Sequence, residues 1–159
     1  MKLLILSDSH RNIDRMSIAV GQALPDVILH LGDHIADAEK LRLQFPGMMF
    51  FMVKGNCDVS AAGNMEKTVI LEGVKIFMAH GHTYNVKNGL TAFSYRASEA
   101  GADIALYGHT HKAGILRADG IWLMNPGQLE RNDSIRPASF GVVTLENGKI
   151  DMKIENLPL

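Results

Sequence analysis

Lys2-Leu3-Leu4-Ile5-Leu6-Ser7-Asp8-Ser9-His10 sets the form from which the rest of the chain is read. A short apolar run of β-strand length ends in a polar tip that carries ionisable side chains. The form recurs. Val27–Leu31 runs into Gly32-Asp33-His34, and Met48–Val53 into Lys54-Gly55-Asn56-Cys57-Asp58. Val74–Ala79 runs into His80-Gly81-His82, and Asp103–Tyr107 into Gly108-His109-Thr110-His111. Helices fit between the first three runs. Asn12 or Asp14 can cap one that reaches Leu24 and stops at Pro25, and Ile35–Gln44 makes a second, closed by Pro46. Strand, helix, strand, helix, strand predicts parallel strands joined by crossover helices. A third helix is expected over Val86–Ala100, where Leu90, Phe93, Ala97 and Ala100 share a face and Gly101 suits the C-cap.

The second half reads differently. Three pairs of β-like runs flank Gly turns: Glu66–Leu71 with Val74–Ala79, Ala113–Arg117 with Ile121–Asn125, and Phe140–Leu145 with Ile150–Ile154. The whole predicts an α/β fold of two packed mixed sheets flanked by helices. No low-complexity tract or Pro/Gly-rich linker divides the 159 residues, so residues 1–159 are read as a single domain. Lys and Arg (16) nearly balance Asp and Glu (17), which argues against a dedicated nucleic-acid surface. One cysteine excludes an internal disulfide and a Cys-rich zinc site. The apolar start is shorter than a signal-peptide core, and Met48–Val53 is far shorter than the roughly 20 residues of a membrane span. A cytoplasmic protein without a membrane partner is expected, and assembly with copies of itself is compatible with the sequence.

The chemistry lies at the tips. Ligands of open α/β sheets gather where strands end. Here the ends present Asp8, His10, Asp33, Asn56, His80, His109 and His111: two carboxylates, an amide and four imidazoles. Neutral imidazole and carboxylate together suit divalent metal ions. A Rossmann or P-loop reading fails because Ser7-Asp8-Ser9-His10 has no glycine. An aspartyl-nucleophile phosphatase would carry a second acid where His10 stands.

The order D-x-H, G-D, G-N, H-G-H, G-H-x-H resembles that of the calcineurin-like metallophosphoesterases. Gly55-Asn56-Cys57-Asp58 and Asn125-Pro126-Gly127 are most similar to the small single-domain YfcE-like phosphodiesterases. The resemblance implies a four-layer αββα sandwich and a phosphodiesterase with a dinuclear metal centre. Asp8, His10 and His111 would hold one ion, Asn56, His80 and His109 the other, and Asp33 would bridge. A hydroxide between the metals, held by Asp33 with Asn56 near the phosphoryl group, would attack phosphorus in line. Mn²⁺ comes first, with Zn²⁺, Fe²⁺ and Ni²⁺ also suited, and the substrate would be a small phosphate ester.

Many members place His directly after Gly-Asn, as the leaving group's proton donor, where this chain has Cys57. A thiol cannot become cationic, which favours diesters with good leaving groups. Otherwise Cys57 is a small buried residue. His82 is expected to orient a ligand or touch substrate, or to be solvated. His30 is read as support behind the ligands or as a core residue, and His34 as a surface residue at a helix start. Arg131 and Arg136 could pair with phosphate, although surface positions are expected for both. Gln128 replaces the family's Ser after Asn-Pro-Gly, and Trp122 is read as packing. The rival functions are an interaction module with a weak or silent site, as in a retromer subunit of this fold, and a nucleotide- or pyrophosphate-directed hydrolase.

Overall fold

The structure, a computed structural model, describes residues 1–158. They form β1 (Lys2–Leu6), α1 (Ile13–Ala23), β2 (Val27–His30), α2 (Ile35–Gln44) and β3 (Met49–Met52), then β4 (Glu66–Leu71) and β5 (Val74–Ala79). There follow α3 (Thr91–Glu99), β6 (Ile104–Leu106), β7 (Gly114–Ala118), β8 (Ile121–Asn125), β9 (Ser139–Glu146) and β10 (Lys149–Asn156). Two five-stranded sheets result, ordered β10-β9-β1-β2-β3 and β4-β5-β6-β8-β7. Both are mixed. β1, β2 and β3 run parallel, as do β5, β6 and β8; antiparallel β9, and then β10, extend the first trio beyond β1, and antiparallel β4 and β7 flank the second.

Strand alternation builds the four layers. Leu3 and Ile5 of β1 face the second sheet, in one core with Ile76 and Met78 of β5, Leu106 of β6 and Val143 of β9. Leu4 and Leu6 face the other way, under Met16, Ala19 and Val20 of α1 and Leu41 of α2. Phe77 and Ala79 of β5 likewise turn outward, to Phe93 and Ala97 of α3. The order helices, sheet, sheet, helix is therefore the expected αββα sandwich.

Local chemistry explains the boundaries. Asn12 is the N-cap of α1, its side chain accepting from Arg15 N–H, and Leu24 ends the helix in the left-handed conformation just before Pro25. The hairpin turns Glu72-Gly73, Asp119-Gly120 and Asn147-Gly148 have positive φ at both residues, as a two-residue hairpin of this hand needs. The continuous helix expected over Val86–Ala100 is corrected. Val86–Asn88 is a 3-10 turn, Gly89 at φ 141° breaks the path, and α3 begins only at Thr91. Gly101 closes α3 in the left-handed conformation, as expected. Among the described residues, no helix is long and apolar enough to cross a membrane.

Candidate metal centre

Five strand ends converge on one edge of the sandwich. Asp8 and His10 follow β1, Asp33 follows β2 and Asn56 follows β3; His80 follows β5, and His109 and His111 follow β6. The first sheet thus contributes four of the side chains and the second three. The backbone at these tips is held in a conformation that L-residues seldom adopt: Asp8, His10, Asp33, His109 and His111 all have φ between 42° and 66°. Such strain clusters where structure serves a site. Two glycines let the tips touch. A Cβ at Gly55 would stand 2.1 Å from Asp33 Oδ1, and one at Gly108 would stand 2.0 Å from Ser7 Oγ.

The convergence forms two groups that share Asp8: Asp8 with His10 and His111, and Asp8 with Asp33 and His80. Asp8 Oδ1 is 3.0 Å from His111 Nε2 and 3.9 Å from both His10 Nε2 and His80 Nε2. Asp33 Oδ2 lies between the groups, 3.9 Å from His10 Nε2 and 3.5 Å from His80 Nε2. Asn56 Oδ1 is 3.1 Å from His80 Nε2. The His109 ring stands 5.1 Å from that of His80, centre to centre.

The donor set fits a cation. His80 Nδ1 is 2.9 Å from Leu31 O, which can only accept, so Nδ1 carries the hydrogen. In the neutral ring Nε2 is then a lone pair, and it faces the oxygens of Asn56, Asp33 and Asp8. His10 Nε2 is buried without a hydrogen-bond partner among the described residues. Buried polar atoms are seldom left so. The electrostatics agree. Burial pushes the Asp8 carboxyl up, yet the His111, His80 and Ser7 contacts outweigh it and the pKa falls below the usual carboxylate value. Asp33 is lowered strongly in the same way, by His80 and Cys57 against burial. Burial alone would lower His80, but Asp33 and Asp8 raise it. A pocket that draws a proton onto a fully buried imidazole also attracts a divalent ion.

Behind the tips lie polar supports that were only partly foreseen. Ser7 Oγ donates to Asp8 Oδ2 at 2.5 Å, and His109 N–H donates to the same oxygen at 3.1 Å. His30 is fully buried and meets no ligand candidate directly. Its Nδ1 accepts from Gly32 N–H, and its Nε2 faces Ser9 Oγ, which donates to Asp37 Oδ2. Burial pushes the His30 imidazole down to about 4, against the pull of Asp8, Asp58 and Asp37, so the ring is neutral at physiological pH. Asp58 accepts from Ile35 N–H with one oxygen and Gly55 N–H with the other, locking the Asp33 and Asn56 tips together. Asn125 donates to Gly108 O and Thr110 Oγ1. Ser9 and Asp37 gave no sequence signal apart from their nearness to the tips, because they meet across 28 residues of chain; the supporting roles of Ser7 and Asp58 emerge only from their bonds to Asp8, Gly55 and Ile35.

The remaining candidates divide. Cys57 is exposed, not the buried residue that was its alternative reading; its N–H donates to Asp33 Oδ1 and its thiol faces Asp33 Oδ2 at 3.4 Å. Burial, then the Asp33 charge and contact, pushes the thiol up to about 11. His82 opens a short 3-10 turn with its ring 5.4 Å from that of His80 and 6.0 Å from that of His109. His34, expected at the surface, is half-buried, with its ring edge-on to His10 at 4.9 Å. Arg131 is exposed and outside the cleft beside His109 and His111, whereas Arg136 lines that cleft. Trp122 packs against the inter-sheet core, with the Arg117 guanidinium 5.1 Å above its ring.

The sequence profile of the calcineurin-like phosphoesterase superfamily domain matches residues 1–148. YsnB of Bacillus subtilis, a probable metallophosphoesterase, is 33% identical over 150 residues, spanning 92% of this chain and 86% of its own. The phosphodiesterase YfcE of Escherichia coli is 28% identical over 167 residues, spanning 90% of this chain and 87% of its own. Vps29 of Entamoeba histolytica, solved in complex with Zn²⁺, shares the fold with TM-score 0.74 at 19% identity, over 98% of this chain and 99% of its own.

Proposed function

The chain belongs to the calcineurin-like phosphoesterase superfamily, and from that premise we propose that it hydrolyses small phosphodiesters with two divalent metal ions held at the five tips. One observation carries the proposal. The buried His80 Nε2, its tautomer set by Leu31 O, faces the oxygens of Asn56, Asp33 and Asp8. In the proposed arrangement Asp8, His10 and His111 hold one ion and Asn56, His80 and His109 the other. Asp33 bridges, which its placement between His10 and His80 supports. When bound, the two ions supply Lewis acidity toward a phosphoryl oxygen and a hydroxide nucleophile for in-line attack.

The chain's own residues do the positioning. Ser7 and the His109 N–H fix the Asp8 carboxylate, Cys57 N–H fixes that of Asp33, and Leu31 O orients His80. Asn56 stands at the exposed rim, where the phosphoryl group enters. Cys57 offers a thiol, not an imidazolium, where a leaving group departs; this favours diesters with stable leaving groups over unactivated monoesters. The identity of YfcE with this chain supports the diester reading. Mn²⁺ is the first choice of metal and Zn²⁺ the second, the latter by analogy with the Vps29 complex.

The test is turnover of a chromogenic diester with added Mn²⁺. Asp33→Ala and Asn56→Ala should each lower kcat by about a hundredfold or more. Unchanged turnover would sink the proposal. Absence of bound metal by elemental analysis under every loading condition would favour the interaction-module reading instead.

A further inference from the structure

A cleft of about 480 Å³ opens beside His109 and His111, within the size range of small-molecule sites. Thr110 to Ala113, Lys87, Arg136 and Pro137 are among the residues that line it. A second cleft shares Lys87, Thr110, Lys112 and Ala113 and extends the trough toward Leu90 and Tyr107. Three cationic side chains, Lys87, Lys112 and Arg136, therefore border one space; among the described residues no carboxylate lines it, and Glu130 Oε2 lies at its edge, 4.0 Å from His111 Nδ1. None of the three makes a side-chain hydrogen bond or ion pair among the described residues. In a chain of net charge −1 this is a local excess of positive charge.

The space is built. The buried Gln128 amide donates to Arg131 O and Arg136 O and accepts from Arg131 N–H, which pins the loop that carries Arg136. Thr110 Oγ1 accepts from Lys112 N–H and Asn125 Nδ2, which pins the turn that carries Lys112. Asp133, on the Arg136 loop, already accepts the N–H groups of Ile135 and Arg136.

We propose that this cleft binds a second phosphoryl group, carried on one arm of the substrate ester, between Lys87, Lys112 and Arg136. The substrate is then a diester with a phosphorylated arm: its reacting phosphorus lies at the metal edge, its arm against Ala113 and Pro137, and its terminal dianion among the three cations. This rests on the phosphodiesterase reading and deepens it.

A matched pair of esters tests it: the p-nitrophenyl ester of thymidine 5′-phosphate, and the same compound carrying a 3′-phosphate. With added Mn²⁺ the native protein should cleave the phosphorylated ester with kcat/KM about tenfold to a hundredfold higher. In the triple variant Lys87→Gln, Lys112→Gln, Arg136→Gln that ratio should fall towards unity. A native ratio of one overturns the proposal, as does a preference that survives in the variant with its fold intact by circular dichroism. If neither ester is cleaved, the diesterase reading fails separately, and calorimetry decides the cleft. Thymidine 3′,5′-bisphosphate must then bind the native protein more tightly than thymidine 5′-phosphate does, and the variant must lose the difference. Equal binding overturns the proposal.

Discussion

His80 Nε2 faces three oxygens, Asn56 Oδ1 at 3.1 Å, Asp33 Oδ2 at 3.5 Å and Asp8 Oδ1 at 3.9 Å, an arrangement suited to a shared cation. The geometry of that neighbourhood depends on atoms that bind nothing themselves. Gly108 is the sharpest case. A methyl group there would stand 2.0 Å from Ser7 Oγ and 2.8 Å from Asp8 Oδ2, so Ser7 would have to release the carboxylate it holds. Gly108→Ala should weaken Mn²⁺ affinity by about tenfold to a hundredfold, as loss of a ligand's supporting partner does, measured by calorimetry. An unaltered affinity would mean that the Asp8 rotamer does not depend on that contact. Cys57 makes the complementary case. Cys57→His adds an imidazole within reach of the leaving group and should raise the ratio of monoester to diester turnover. A ratio that does not move would show that the position has no part in proton delivery. The ligand candidates were legible because each stands directly after an apolar run. The roles of Asp37 and Asp58 were not, because only the folded chain brings Ser9 to the one and Ile35 N–H to the other.

At the scale of elements, periodicity and turn chemistry placed β1, β4, β5 and α2 at their observed limits, since Gly turns and prolines punctuate those runs. The segment before α3 misled because Val86 is buried and keeps helical spacing with Leu90, while the break depends on the backbone angle of Gly89. The helix that follows is tied to the edge strand β4 through Glu66. Arg96 Nη2 reaches Glu66 Oε1 at 2.6 Å, and Tyr84 OH donates to Glu66 Oε2. Burial raises the Glu66 carboxyl, but these two partners outweigh it and hold the pKa below the usual 4.5. A carboxyl depressed in the fold stabilises above its unfolded pKa, and that contribution disappears as the pH falls through the folded value. Glu66→Gln should therefore lower Tm by about 1–4 °C at neutral pH, and the gap to the native protein should close on acidification below 4.5. A gap that persists at low pH would assign the loss to packing and not to charge.

On the scale of the molecule, each proposed ion takes ligands from both sheets: Asp8 and His10 with His111, and Asn56 with His80 and His109. Bound metal would join two layers that otherwise meet through an apolar core. Mn²⁺ should raise Tm with concentration, by the equivalent of about 2.7 kcal/mol at a hundredfold excess over Kd, and a chelator should reverse the effect. A Tm indifferent to every divalent ion would contradict a site shared between the layers. The layer order was legible in the alternation of Leu3 and Ile5 against Leu4 and Leu6. Which strands would neighbour one another was not, because β9, which carries no ligand candidate, pairs with β1 across most of the chain. That pairing bears on biosynthesis. β1 is the central strand of its sheet, with Leu3 opposite Val143. A ribosome delivers all seven donor side chains before residue 112, yet the strand that covers the open flank of β1 emerges only with residues 139–146. The nascent polypeptide thus carries the seven proposed metal donors on an unfinished sheet. An uncovered apolar strand edge is prone to wrong pairings, so a late-made strand that carries none of the proposed donors shields β1.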